Sequence, residues 1–68
     1  MDEVIRDPDF LGGSPVFRGT RVPVKNLFDY IVNGSSVKDF LEDFPTVSFE
    51  QVRHVLQAAE VHIEEGVA

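Results

Sequence analysis

The sequence predicts a mainly α domain: a helix-turn-helix-like trihelical core, winged-helix or homeodomain-like, preceded by a short N-terminal β-hairpin. Three observations predict it. Apolar residues change at Pro23 from short β-leaning pieces to a helical period, Ser36 and Ser48 each open a capping signature, and only Pro45-Thr46-Val47 separates the last two helices. A single domain is expected over residues 1–68, with a β ribbon and turns in 1–22 and three helices in 23–66.

The ribbon rests on Val4-Ile5-Arg6 and Val16-Phe17-Arg18, separated by Asp7-Pro8 and Gly12-Gly13-Ser14-Pro15. Gly19 follows, suited to a turn that a Cβ would resist, and then a third extended piece, Thr20-Arg21-Val22. From Pro23 onward Val24, Leu27, Phe28, Ile31 and Val32 share one helical face. Pro23 suits the first turn and Gly34 the C-terminal cap. Ser36 with Asp39 opens the second helix, whose stripe Val37, Phe40, Leu41 and Phe44 is ended by Pro45. Ser48 with Gln51 opens the third, where Phe49, Val52, Leu56, Ala59 and Ile63 step by three and four and Gly66 closes the helix.

A chain of 68 residues buries only about 60% of its unfolded surface, so its core is thin. It has no cysteine, which removes disulfides and the commonest structural zinc sites and leaves oligomerisation as the expected support. A homodimer or higher complex is expected. Ala59, Ile63 and Val67 extend past what two short helices can cover, and they are the candidate dimer or partner interface. No apolar run approaches the roughly 18 residues of a membrane span, and Met-Asp-Glu-Val-Ile-Arg lacks the pattern of a signal peptide. The cytoplasm of a prokaryote is the expected compartment, with no membrane partner.

The net charge of −6 is uneven: residues 1–34 hold five acids and four bases, residues 35–68 seven acids and two bases. Such acidity disfavours non-specific nucleic-acid binding, which draws on lysines and arginines against phosphate. It favours a basic protein partner.

No set of residues points to catalysis. His54 and His62 are eight apart, too far for the i, i+4 pairing that shares a metal, and Glu50 one turn before His54 supplies no third ligand. Asp7 and Asp9 flank Pro8, where bonding to local amides is their ordinary role. Ser14 has no base beside it, and Gly12-Gly13-Ser14 lacks the lysine and following helix of a phosphate loop. The expectation is a binding domain and not an enzyme, with no catalytic residue, no cofactor and no metal.

The most distinctive segment is Phe17-Arg18-Gly19-Thr20-Arg21-Val22-Pro23-Val24, where two arginines bracket a Gly-Thr turn. Two readings stay open. Arg18 or Arg21 ties the ribbon to the helices through Asp7, Glu42 or Asp43, or the guanidinium forks reach a partner's carboxylates or phosphates. On the third helix Gln51 and Arg53 have the chemistry to read base edges, with Lys25, Lys38 and Ser48 as further DNA-binding candidates. Glu50, Glu60, Glu64 and Glu65 oppose that role beside phosphates.

The order Asp7-Pro8, Gly12 to Val24, Gly34-Ser35-Ser36 and Asp43-Phe44-Pro45-Thr46-Val47-Ser48 resembles the small prokaryotic family catalogued as domain of unknown function four-three-three. The likeness runs over roughly residues 4–60, with Ser14 a mild departure where the pattern has a small residue or lysine. The resemblance implies a helix-turn-helix-like fold with an N-terminal β element. It also implies an antitoxin of a type II toxin–antitoxin pair that binds and neutralises a PIN-like ribonuclease toxin with an acidic, magnesium-dependent site. Arg18 and Arg21 are then the candidate toxin-binding residues, placed to displace metal from the toxin's acids. As a complex the pair is expected to bind its own operator DNA. The alternative is a stand-alone helix-turn-helix DNA-binding regulator.

Overall fold

A computed structural model of the chain describes residues 3–9 and 11–66. It has the mainly α, trihelical architecture with an N-terminal hairpin that the sequence predicts. Strands β1 (Val4–Arg6) and β2 (Pro15–Phe17) pair antiparallel, with Val4 opposite Phe17, Ile5 opposite Val16 and Arg6 opposite Pro15. The Arg18 amide donates to the Glu3 carbonyl at 2.8 Å and extends the ladder by one bond. Between the strands a 3-10 turn at Leu11–Gly13 holds Gly12 and Gly13 at φ of 64° and 86°, the left-handed region that glycine enters without a Cβ clash.

The ribbon differs from the sequence expectation in two places. Strand β2 ends at Phe17 because Arg18 already enters the next turn, and it begins at Pro15, whose lack of an amide suits the end of a ladder. Thr20-Arg21-Val22 forms no strand, and only Pro23 bridges back to Val16. The Thr20 side chain, bonded within its own turn, bends this stretch away from extended geometry.

Helix α1 (Val24–Val32) begins after Pro23, which has no side-chain cap. It ends as Gly34 takes φ of 89°, with the Gly34 amide on the Ile31 carbonyl and the Ser35 amide on the Tyr30 carbonyl. That pattern satisfies two carbonyls the helix leaves over. Helix α2 (Val37–Asp43) carries a complete capping box: the Asp39 amide donates to Ser36 Oγ at 3.0 Å, and the Ser36 amide donates to the Asp39 carboxylate at 3.1 Å. Helix α3 (Phe49–Gly66) starts on a second box, with the Gln51 amide on Ser48 Oγ and the Ser48 amide on Gln51 Oε1. It runs to Gly66, the last of the described residues.

The core lies where β2 meets the three helices. Phe17, Leu27, Phe40 and Val52 are fully buried, joined by Val16, Val24, Val47 and Val55. Phe40 is the hub, with ring centroids 6.0 Å from Phe17, 5.4 Å from Tyr30 in an edge-on pair and 5.0 Å from Phe44. Phe49 departs from the expected stripe and is 57% exposed, whereas Val55 is buried. At 3.6 residues per turn Phe49 stands about 120° around α3 from Val55, so a face centred on Val52 and Val55 leaves it outside.

Truncating the hub, Phe40→Ala, is expected to cost about 3–5 kcal/mol and to unfold most of the population of so small a domain at room temperature, read by far-UV circular dichroism. Ser36→Ala, which removes one cap acceptor, is expected to cost about 1 kcal/mol and lower Tm by several degrees with the fold intact.

Candidate functional site

The turn after β2 is built from its own backbone. The Phe17 amide donates to the Val22 carbonyl at 3.0 Å, and the Thr20 amide donates back to the Phe17 carbonyl at 3.0 Å. Thr20 Oγ1 then closes the loop from inside, donating to the Phe17 carbonyl at 2.7 Å and accepting from the Val22 amide at 3.0 Å. Gly19 supplies the positive φ of 77° that the reversal needs. Arg18 and Arg21 therefore stand exposed on a turn whose conformation is fixed at four hydrogen bonds.

Gln51 fastens this turn to the helices. Its Oε1 is taken by the α3 cap, and its Nε2 donates to the Arg18 carbonyl at 2.9 Å, across 33 residues of sequence. The sequence offers Gln51 as a base reader and Arg18 as a separate partner contact; the structure brings the two together. On the other side Arg21 and Thr20 share a cavity of about 340 Å3 with Asp7, Asp9, Ile5 and Val16. Of the acids proposed as arginine partners, Asp7 accepts the Asp9 amide at 2.9 Å and Asp43 accepts the Tyr30 hydroxyl at 2.6 Å. The Asp43 bond, helped by partial burial and by the nearby acids, holds the Tyr30 hydroxyl above its ordinary pKa.

The other DNA-binding candidates sit apart from each other or are engaged. Lys25 on α1 pairs with Asp29 at 2.8 Å, and Ser48 is used in the α3 cap. Lys38 is exposed on the first turn of α2. Arg53 reaches Glu50 at 2.6 Å. The hydrogen bond from Arg53, reinforced by its charge, holds the Glu50 carboxyl below the usual glutamate range and raises the guanidinium in return. Ala59 is half-buried and Ile63 exposed on α3, while Val67 lies outside the described residues.

One contact joins residues far apart in the sequence. His54 Nδ1 is 2.8 Å from a Glu3 carboxylate oxygen, while Nε2 is 3.3 Å from Arg53 and 4.0 Å from Glu50. With the ring proton on Nδ1 donated to Glu3, Nε2 is left as the acceptor for Arg53. Glu3 precedes β1, so this contact pins the start of the hairpin to α3. Glu50 is legible from its i, i+4 spacing to His54; Glu3, 51 positions away, leaves no local signal.

Among the described residues no group of three or more His, Cys, Asp or Glu side chains is placed to hold a metal, and no helix is long and apolar enough to cross a membrane. The site is two exposed arginines on one fixed turn, fastened to α3 by Gln51.

A family profile described as "Protein of unknown function (DUF433)" matches residues 4–58, which takes in the hairpin, the arginine turn, α1, α2 and the first half of α3. The chain belongs to the DUF433 family. The chain is 46% identical over 50 residues to the uncharacterized protein y4eO of Sinorhizobium fredii (strain NBRC 101917 / NGR234). The match covers 74% of this chain and 23% of that protein, so the chain spans less than a quarter of its curated relative's length. No solved structure matches the chain.

Because its folded pKa is depressed, Glu50 adds stability above its unfolded pKa that is lost as pH falls through the lower folded value. Carboxyl NMR titration is expected to place its midpoint below the usual glutamate range and to return it there in Arg53→Ala.

Proposed function

We propose that this DUF433 domain is an antitoxin that binds and neutralises a PIN-like ribonuclease, with the Arg18 to Arg21 turn reaching the toxin's acidic, metal-binding site. One observation carries the reading: two exposed arginines stand on a turn locked by Thr20 and fastened to α3 by Gln51, on a chain of net charge −6. An arginine on a fixed backbone loses less freedom on meeting a carboxylate pair than one on a flexible loop, and its fork matches that group in two bonds. The acidic remainder suits the basic surface by which a ribonuclease holds RNA, which speeds and orients the encounter.

A stand-alone DNA-binding role has weaker support. Gln51 has both side-chain functions engaged and Ser48 is in the cap, while Arg53 and Lys25 each have an acid at 2.6 and 2.8 Å. Operator binding belongs to the assembled complex in this reading, where the toxin adds its own cations.

Co-expression with a PIN-like protein from the adjacent reading frame is expected to restore growth and give a complex that survives affinity purification. The double variant Arg18→Ala, Arg21→Ala is expected to keep its circular dichroism spectrum and bind the toxin roughly tenfold or more weakly. Toxin that purifies free of the wild-type chain, or salt-sensitive retardation of upstream DNA by the isolated chain, would overturn the reading.

A further inference from the structure

Along one side of α3 three large apolar side chains recur at seven-residue steps: Phe49, Leu56 and Ile63. Seven residues are nearly two turns, so the three stand within about 40° of one another around the helix, each about 10 Å along it from the next. Phe49 is 57% exposed and Ile63 61%, with Leu56 half-buried between them. Phe49 and Leu56 also line, with Val37 and Val52, a groove of about 250 Å3 between α2 and α3 whose charged residues are Arg53 and Glu60.

This track is complementary to itself. Phe49 is seven residues before Leu56 and Ile63 seven after it, while Arg53 is three before and Glu60 four after. A two-fold axis beside Leu56 and perpendicular to α3 lays an identical helix antiparallel on the first. It sets Leu56 on Leu56, each Phe49 against Ile63 of the other copy, and each Arg53 within about 1.5 Å, along the helix, of the level of the other copy's Glu60. A parallel copy would oppose like charges instead. Glu60 takes part in no ion pair with another described residue. Arg53 holds Glu50 at 2.6 Å through Nη2, and Nη1 reaches only Gln57 Oε1 at 3.5 Å, so its fork has donors left for a second carboxylate.

We infer that α3 pairs with α3 of a second copy of this chain, antiparallel about Leu56, with Ile63 of one copy seated beside Phe49 in the groove of the other and Arg53 joined to Glu60 across the interface. Apolar knobs repeating every seven residues suit helix pairing, and the flanking charges fix its direction. Each exposed end of the track is covered by the opposite end of the same track, which gives a thin-cored chain the burial it lacks alone. Gln51 is two residues from Phe49 and about 160° around α3 from it, so the arginine turn it fastens faces away from the pair. The dimer stands apart from the antitoxin reading and leaves both arginine turns outward.

The full chain is expected to sediment as a dimer in analytical ultracentrifugation. Ile63→Glu, at a position too exposed to threaten folding, is expected to keep the circular dichroism spectrum and to weaken the dimer roughly tenfold or more. Arg53→Glu and Glu60→Arg are each expected to weaken it roughly tenfold, and the two together in one chain to restore most of the loss. The chain has no cysteine, so pyrene can be attached at one chosen site. On Gln57→Cys, beside the axis, it is expected to give excimer fluorescence; on Glu64→Cys, more than about 20 Å from its counterpart, it is expected to give none. A monomer at high concentration, a dimer indifferent to Ile63→Glu, charge reversals without effect or without rescue, or excimer at both positions would overturn the inference. So would a monomer whose capture of a PIN-like protein is lost in Ile63→Glu, since the partner would then own this face. A dimer that forms as described without capturing any PIN-like protein keeps this inference and removes the antitoxin reading.

Discussion

Phe17 is the residue on which the two halves of this molecule depend. Its side chain is fully buried against Phe40, which joins the hairpin to the helices, and its backbone amide and carbonyl are the foundations of the arginine turn. A residue with its ring locked in a close-packed core has almost no freedom to shift, so the turn built on it inherits that rigidity. Arg18 follows Phe17 directly in the chain, and Arg21 stands on the turn bonded to the Phe17 backbone.

The second constraint is electrostatic. With twelve acids and six bases, the chain has few cations to spend, and the fold places them unequally. Lys25 and Arg53 each face an acid on their own helix at i, i+4 or i, i+3, contacts that contribute little to an exposed helix. Arg53 does more, because it also meets His54, whose other nitrogen reaches Glu3. The far half of α3 has acids and no cation, and it is the part of the described surface with the least to hold it in place.

Local chemistry made most of the fold legible. Both capping boxes, the Gly34 helix end and the position of the Gly19 turn follow from residues within five of each other, and each is found where the spacing predicts it. The hairpin too was readable, apart from a one-residue shift in the bounds of β2 and the absence of a strand at Thr20-Arg21-Val22. What the sequence concealed depends on which way α3 is rotated and on contacts over long separations. The step pattern chose Phe49 and passed over Val55, because several stripes fit a helix with apolar residues at 49, 52, 55, 56, 59 and 63 and only packing selects one. Gln51 with Arg18 and His54 with Glu3 are 33 and 51 positions apart, and no periodicity relates them. At the candidate site the arginines were therefore visible as unusual residues, while the support that fixes them was not.

The bond from Gln51 to the Arg18 carbonyl has a consequence for the order in which the chain assembles. The three helices and their caps are local and can form early, whereas the hairpin must wait for the first turn of α3 before its arginine turn is tied down. Closing that separation costs entropy which is recovered only when Phe17 meets Phe40 and Val52 in the same event. A nascent chain that has not yet produced α3 has the residues of the turn's four local bonds but not the bond that fastens it to the helices. The turn takes its shape from its own residues, and Gln51 fixes where that shape stands against α3.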